Sequence, residues 1–389
     1  MQICYFGTYD REYSRNQIIV EGLRQNGVEV VECHRTLWRG TADKIARAAG
    51  GWKQLGFLGK LAATYLALAR DYARLGPHDA VVVGYAGMLD LYPAWLLTRL
   101  SRRPLVLDAY LSVYNSIVNE RKLAAPGSAK ARLVHALERT ACRLADRVLL
   151  DTRAHIDYFC QLYGLEEALF AWVPIGADDR FFRPAREADS QTGTASESQS
   201  NLRRQTLRAV YHGKYIPTAG VEHILRAAAL LGGDPAFAFE FVGEGEGKAE
   251  AQALAADLGL GNVTFLGWME KEELVRHLHD AGVCLGNFGD TPQAQRAVSN
   301  KVYEGLALGL PVLAGDTAAN REVVRHGETA YLCPVADPEA IAAGLRALKA
   351  HPGLRARLRA AGLAHYREQF TPAAVGRRVQ EVLEGLVAP

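Results

Sequence analysis

A chain of 389 residues, at about 100–200 residues per domain, implies two domains rather than one core. Hydrophobic residues make up 49% and charged residues 23%, ordinary for a soluble globular protein, which excludes disorder, collagen-like repeats and coiled coil. Lys and Arg total 45 against 43 Asp and Glu, a formal charge of +2, so the global balance calls for no nucleic-acid partner.

The chain opens on QICYF, a buried-strand pattern with charge close behind it, unlike the basic stretch and longer apolar run of a secretory signal. The runs VEVVEC, DAVVVG, PLVLDA, RVLLD and LFAWVP follow to about residue 173, alternating with segments of helical period. Strand and helix in alternation predict a parallel α/β sheet. Within this half, residues 44–75 hold six basic side chains and one acid, interleaved with Trp52, Phe57, Tyr65 and several leucines. Such a stretch is either a helix packed on the sheet or a face for an anionic bilayer. Over residues 1–150 the excess is 21 basic to 13 acidic side chains, which suits an anionic surface.

The turn VPIGADDRFFRP is expected to carry the connection between domains around Gly176 to Pro184. Residues 187–205, rich in Ser, Thr, Gln and Gly, read as a flexible solvated loop. The alternation then restarts with LRAVYHG, FAFEFVG, NVTFLGW, GVCLGNF, LPVLAGD and TAYLCPV, a second sheet of the same kind. Two apolar-periodic helices close the chain, at roughly 352–366 and 372–386. No stretch approaches the roughly 18 apolar residues of a membrane span. Cys4, Cys33, Cys142, Cys160, Cys284 and Cys333 form no C-x-x-C pair, which argues against a zinc or redox motif and suits a reducing cytoplasm. Two facing parallel sheets would line one cleft with their carboxyl ends, where such sheets place ligands.

Several motifs are excluded. There is no Walker loop, no G-x-S-x-G elbow and no G-x-G-x-x-G after the first strand. Gly243, Gly245 and Gly247 are wrongly spaced for a dinucleotide, and Glu244 and Glu246 would repel a pyrophosphate. Asp-x-Asp is absent and Asp178 and Asp179 are adjacent, so a metal-free mechanism is favoured.

The segment SNKVYEGLALGLPVLAGD is the most informative. Ser299 is a suitable N-cap, Val302 and Leu306 share a helical face, Gly309 supplies the stop and Pro311 opens a strand. Asn300 and Lys301 then fall in the first turn, where free amides and the helix dipole favour an anion. Glu304, one turn deeper on the same face, is badly placed for phosphate and well placed for a diol such as a ribose. A surface helix with a routine Lys–Glu pair fits the same spacing. In AVYHGKYIPTAG, Gly213 permits close backbone approach and Lys214 extends from the first strand of the second sheet. A pyrophosphate held between Lys214 and Lys301 is one reading, a solvated loop lysine the other. His212 is either a phosphate contact or a packed strand residue.

Together VPIGAD, HGKYIPTAGVEHILRAA, FEFVGEG, NVTFLGWMEKEELVRHL and NKVYEGLALGLPVLAGD, in this order, resemble glycosyltransferase family 4, of the two-Rossmann-domain GT-B architecture, over nearly the whole length. The resemblance implies an α/β fold with an N-terminal acceptor-side domain at 1–177 and a nucleotide-sugar domain at 178–369. It also implies a last helix, about 370–386, returning to the first domain. Donor-binding residues on this reading are Gly213, Lys214, Gly243, Glu244, Asp290, Arg296, Ser299, Asn300, Lys301 and Glu304, with Gly7 and Thr8 on the acceptor side.

The sequence departs from the family at two places. Ala219 stands where the phosphate turn commonly has a second cation, and Arg296 where a paired-glutamate motif has its first Glu. The chain looks like a branch with Asn-Lys ahead of the remaining Glu, and Asp290 and Gln293 are candidates for the missing sugar contact. Tyr110 takes the place of a family His near the reacting sugar, with Asp108 two residues before it, expected on the opposite side of the strand. Lys214, Lys301, Tyr110 and Asp108 are thus the candidate catalytic residues.

The implied activity is transfer of a hexosyl-type sugar, with retention, from a UDP-, GDP- or ADP-linked donor to a glycan or lipid-linked acceptor in cell-envelope polysaccharide or glycolipid synthesis. It needs no cofactor and no metal, and suits a cytoplasmic protein peripheral on the membrane. An epimerase or hydrolase of the same fold, or a catalytically weak nucleotide-sugar-binding protein, are the alternatives.

Overall fold

A computed structural model describes residues 1–37, 55–185, 206–232 and 234–387. Residues 44–54 of the basic stretch, Trp52 among them, and the loop expected at 187–205 lie outside the described residues. The chain forms two compact units, Met1–Ile175 with Pro372–Pro389, and Gly176–Thr371.

The first unit holds β1 (Gln2–Gly7), β2 (Glu29–His34), β3 (Ala80–Val83), β4 (Leu105–Tyr110), β5 (Arg147–Leu150) and β6 (Phe170–Trp172). They pair in parallel in the order β2-β1-β3-β4-β5-β6. The central strand β3 reads AVVV and is buried along its length, as a strand covered on both faces must be. Its helices are α1 (Ser14–Gln25), α2 (Leu55–Ala73), α3 (Leu91–Ser101), α4 (Ala129–Leu144) and α5 (Arg153–Tyr163). Cys4, Phe6, Val81, Val83, Leu107, Val148 and Leu150 form the core with Leu68, Leu91 and Phe159 from the helices.

The second unit repeats the plan with β7 (Leu207–His212), β8 (Phe237–Val242), β9 (Val263–Leu266), β10 (Val283–Leu285), β11 (Val312–Gly315) and β12 (Tyr331–Cys333). The order is β12-β11-β10-β7-β8-β9, all parallel. Its helices are α6 (Val221–Leu230), α7 (Lys248–Asp257), α8 (Lys271–His279), α9 (Pro292–Arg296), α10 (Asn300–Ala307), α11 (Ala318–Val323), α12 (Pro338–Ala350) and α13 (Pro352–Gln369). The winding direction reverses between β7 and β10, and at such a switch point the loops diverge and leave a crevice at the carboxyl ends.

The last helix, α14 (Pro372–Val387), packs on α1 and so belongs to the first unit. Gly22 and Gly376 make this crossing possible. A Cβ on either would collide with backbone of the other helix. Asn26 at the end of α1 adds a hydrogen bond from Nδ2 to the Ala373 carbonyl at 2.8 Å. Among the described residues no helix is long and apolar enough to cross a membrane.

Candidate functional site

The helix expected after Ser299 is α10. Gly309 follows it in the left-handed region at φ 65°, and β11 begins three residues later at Val312. Ser299 occupies the N-cap position with extended backbone (φ −74°, ψ 145°), yet its hydroxyl makes no capping bond. Its Oγ is buried without a hydrogen-bond partner among the described residues. The expected side-chain cap is therefore absent, and no side chain of its own covers the first amides of α10.

Lys301 does not project into solvent, as a surface Lys–Glu pair would require; it is 9% exposed. Its Nζ donates to Asn287 Oδ1 at 3.0 Å and lies 4.8 Å from the centre of the Tyr211 ring. Burial holds its pKa down to about 8, against the pull of Glu304 upward. Glu304 is bound by a different neighbour, because His212 Nε2 stands 2.6 Å from its Oε2. A Cβ built on Gly213 would sit 3.5 Å from Lys301 Nζ. Three parts of the chain thus converge at the switch point: the end of β7 with Tyr211, His212 and Gly213, Asn287 beyond β10, and the first two turns of α10. The tight neighbour of Gly213 is Gly243 at the end of β8, where any Cβ would run into the Gly213 carbonyl.

The other expected donor residues stand around this cluster or apart from it. Lys214 is exposed and forms no ion pair among the described residues; its carbonyl accepts from Tyr211 Oη at 2.6 Å. Glu244 is exposed and tied to Lys248 Nζ at 2.7 Å. Asp290 is exposed, Asn300 half-buried, and Arg296 half-buried as the last residue of α9. Ala219 is buried in a one-turn 3-10 helix, and its carbonyl accepts from the Phe288 amide at 2.9 Å. Sequence reasoning missed Asn287 and assigned His212 to phosphate or to packing. The only available signal for Asn287 was its place just beyond a strand end.

In the first unit Thr8 is held by Asp90, whose carboxylate accepts from Thr8 N at 2.6 Å and from Thr8 Oγ1 at 3.0 Å. Tyr65 of α2 donates to the same carboxylate at 3.0 Å, and Gly7 stands against it. Asp108 is fully buried and engaged by Arg15, itself 1% exposed, through Nη2 at 2.8 Å and Nε at 3.1 Å. Arg15 Nη1 also donates to the Val173 carbonyl at 2.6 Å. Burial pushes the Asp108 carboxyl up, with Arg15 opposing. Tyr110 lies beyond a register shift in β4, at φ 55°, with the Arg15 guanidinium 5.3 Å from its ring centre. Asp108 and Tyr110 therefore both meet Arg15, which overturns the expectation that Asp108 faces the opposite side. Residues two apart share a face of a regular strand, and across the register shift between these two both still reach Arg15. Burial raises the Tyr110 hydroxyl well above its ordinary value.

Of the aromatics named in the basic stretch, the described Phe57 and Tyr65 do not face outward. Phe57 is buried and Tyr65 is turned to Asp90. α2, its neighbour α3 and the residues just after them expose Leu58, Leu66 (73%), Leu96 and Leu100 (77%), with Lys60, Arg70, Arg74, Arg99, Arg102 and Arg103. Among the described residues no three His, Cys, Asp or Glu side chains cluster so as to hold a metal ion.

Comparison with known proteins places these units. Residues 194–365 match the family described as "Glycosyl transferases group 1". A D-inositol 3-phosphate glycosyltransferase of Streptomyces bingchenggensis is 29% identical over 310 residues, 76% of this chain and 64% of that relative. The chain thus spans less than two thirds of the length of this relative. Among solved structures, Anabaena HepE in complex with UDP superposes with a TM-score of 0.71 at 16% identity, covering 99% of each chain. Sucrose-phosphate synthase from Thermosynechococcus elongatus gives 0.73 at 19% identity, covering 100% of this chain and 99% of its own. These likenesses show the fold, two Rossmann-like domains of the GT-B kind. Residues 194–365, which include the whole cluster around α10, are thus similar to group 1 glycosyl transferases.

Proposed function

We propose that the protein transfers a hexosyl-type sugar, with retention and without a metal, from a nucleoside diphosphate donor to a glycan or lipid-linked acceptor. The observation that carries this reading is the buried Lys301 beside Gly213 at the start of α10, where Ser299 makes no side-chain cap, one turn from a carboxylate. A buried cation next to a glycine turn suits a diphosphate, and Glu304 suits the ribose diol. In the step itself the acceptor oxygen bonds to the anomeric carbon, the bond from that carbon to phosphate oxygen breaks, and the acceptor's proton passes to the departing phosphate. Negative charge grows on that phosphate, so Lys301, the amides of Ser299 to Lys301 and exposed Lys214 are the groups that lower the barrier. Asp108, enclosed with Arg15, and Tyr110, whose hydroxyl stays protonated at neutral pH, serve this reading as the frame of the acceptor side, with Gly7 and Thr8.

A thermal-shift screen of UDP, GDP, ADP and their sugars tests the donor. A ligand at 100 times its Kd adds about 2.7 kcal/mol of stability. Lys301→Met, which keeps the buried volume, is expected to lower kcat by about 10²–10³. Stabilisation by none of these nucleotides would sink the reading, and donor consumption without an acceptor would turn it to a hydrolase or epimerase. The leucines and arginines exposed on α2 and α3 support an acceptor presented at an anionic membrane on the cytoplasmic side, in cell-envelope glycan or glycolipid synthesis. Equal co-sedimentation with neutral and anionic vesicles would remove that part.

A further inference from the structure

We infer that His212 is a positioning residue that sets the selectivity of this site for a ribose over a deoxyribose, acting through Glu304. The inference rests on the donor reading above and concerns a residue that reading does not use.

His212 ends β7 and is 4% exposed, so its imidazole has been taken out of water. One nitrogen makes a short bond to Glu304 Oε2, at 2.6 Å, while Nδ1 is buried with no hydrogen-bond partner among the described residues. A buried polar ring with one nitrogen unsatisfied is a poor choice for packing alone, since an apolar residue would fill the same space without that cost. What the ring supplies is the bond to Glu304. Glu304 in turn has no other hydrogen bond among the described residues: Lys301, one turn before it, spends its Nζ on Asn287. The carboxylate is 15% exposed, against 4% for the imidazole. His212 therefore clamps one oxygen from the buried side and leaves Oε1 to accept from outside.

A carboxylate held in this way has one rotamer and one outward oxygen, and it meets a vicinal diol by accepting from its hydroxyls. Without the clamp, the glutamate loses its fixed orientation. The diphosphate contacts at α10 are untouched by that change. Loss of His212 is thus expected to weaken ribonucleotides selectively and to leave deoxyribonucleotides nearly where they were. Glu304 is the residue in contact with the sugar; His212 works only through it.

The test is calorimetric titration of UDP, GDP and ADP and of their 2′-deoxy and 2′,3′-dideoxy counterparts into the full chain. For the nucleotide that binds, wild type is expected to prefer the ribo form, and His212→Leu to lose that preference by roughly tenfold while binding the dideoxy form as before. His212→Gln, whose amide can donate to Glu304, is expected to restore part of it. Glu304→Gln and the double variant His212→Leu/Glu304→Gln are expected to match each other. Unchanged ribo/deoxy preference in His212→Leu overturns the inference even though nucleotides bind; so does an equal loss for every nucleotide form. If His212→Leu does not fold, the ¹⁵N resonances of the wild-type imidazole serve instead. They are expected to move with the ribonucleotide and much less with the dideoxy form, and equal movement overturns the inference. Binding of no nucleoside diphosphate by wild type defeats the donor reading itself, a result distinct from these.

Discussion

Lys301 and Arg15 are both buried cations, but their surroundings give them opposite characters. Arg15 is locked to Asp108 and to two carbonyls. Arg15→Met leaves the Asp108 carboxylate buried without its partner, and a loss of about 3–5 kcal/mol in urea unfolding is expected. Replacing both residues by apolar ones of similar volume is expected to recover most of it. Lys301 touches a neutral amide and a ring, and burial outweighs the pull of Glu304, so its pKa falls from 10.5 to about 8. Between about 8 and 10.5 the unfolded chain holds a proton that the folded chain has released, so this residue makes stability rise with pH across that window. Below about 8 its cost is fully present. Anion binding runs the other way. Nucleoside diphosphate affinity is expected to hold below pH 8 and to fall by up to about tenfold per unit above it, as calorimetry at pH 7 and 9.5 would read. In Lys301→Met both dependences are expected to flatten.

At the scale of elements, the crossing of α1 and α14 depends on backbone approaching backbone. Gly376→Val has nowhere to place its side chain except into the Gly22 peptide, so the helices must separate. A loss on the order of 1–3 kcal/mol, or more, is expected in denaturant titration. Gly385→Ala on the same helix, where nothing lies within 4 Å of the new Cβ, is expected to be neutral or to stabilise by roughly 0.5–1 kcal/mol. Equal effects at the two sites would mean that the crossing is not what holds α14. The helix α10 shows a different economy: Val302, Tyr303 and Leu306 bury one side of it, which fixes its N-terminus at the switch point with only eight residues.

For the whole molecule, the first unit is closed by a segment that arrives only after the second unit is complete. Removal of residues 372–389 is expected to uncover α1 and to lower hydrogen-exchange protection throughout Met1–Ile175, leaving Gly176–Thr371 unchanged. Equal loss in both units would contradict that division.

The twelve strands and the two closing helices were legible in the sequence because a parallel strand buried on both faces is a short run of apolar residues, and a packed helix repeats at 3.6. The helix after Ser299, its stop at Gly309 and the placing of Lys301 and Glu304 on one face followed from the same local rules. What those rules could not supply is which side chain meets which across sequence distance. His212 and Glu304 are 92 residues apart, Arg15 and Asp108 are 93, and Thr8 and Asp90 are 82. Nothing in the spacing of Ser299 could show that its hydroxyl would be buried without capping the amides it precedes. Local pattern determined the elements and the candidate residues. Only the sheet order, which brings β7 beside β10 and sets α10 against both, decided that Lys301 is buried with Asn287 and that Glu304 is held by a histidine.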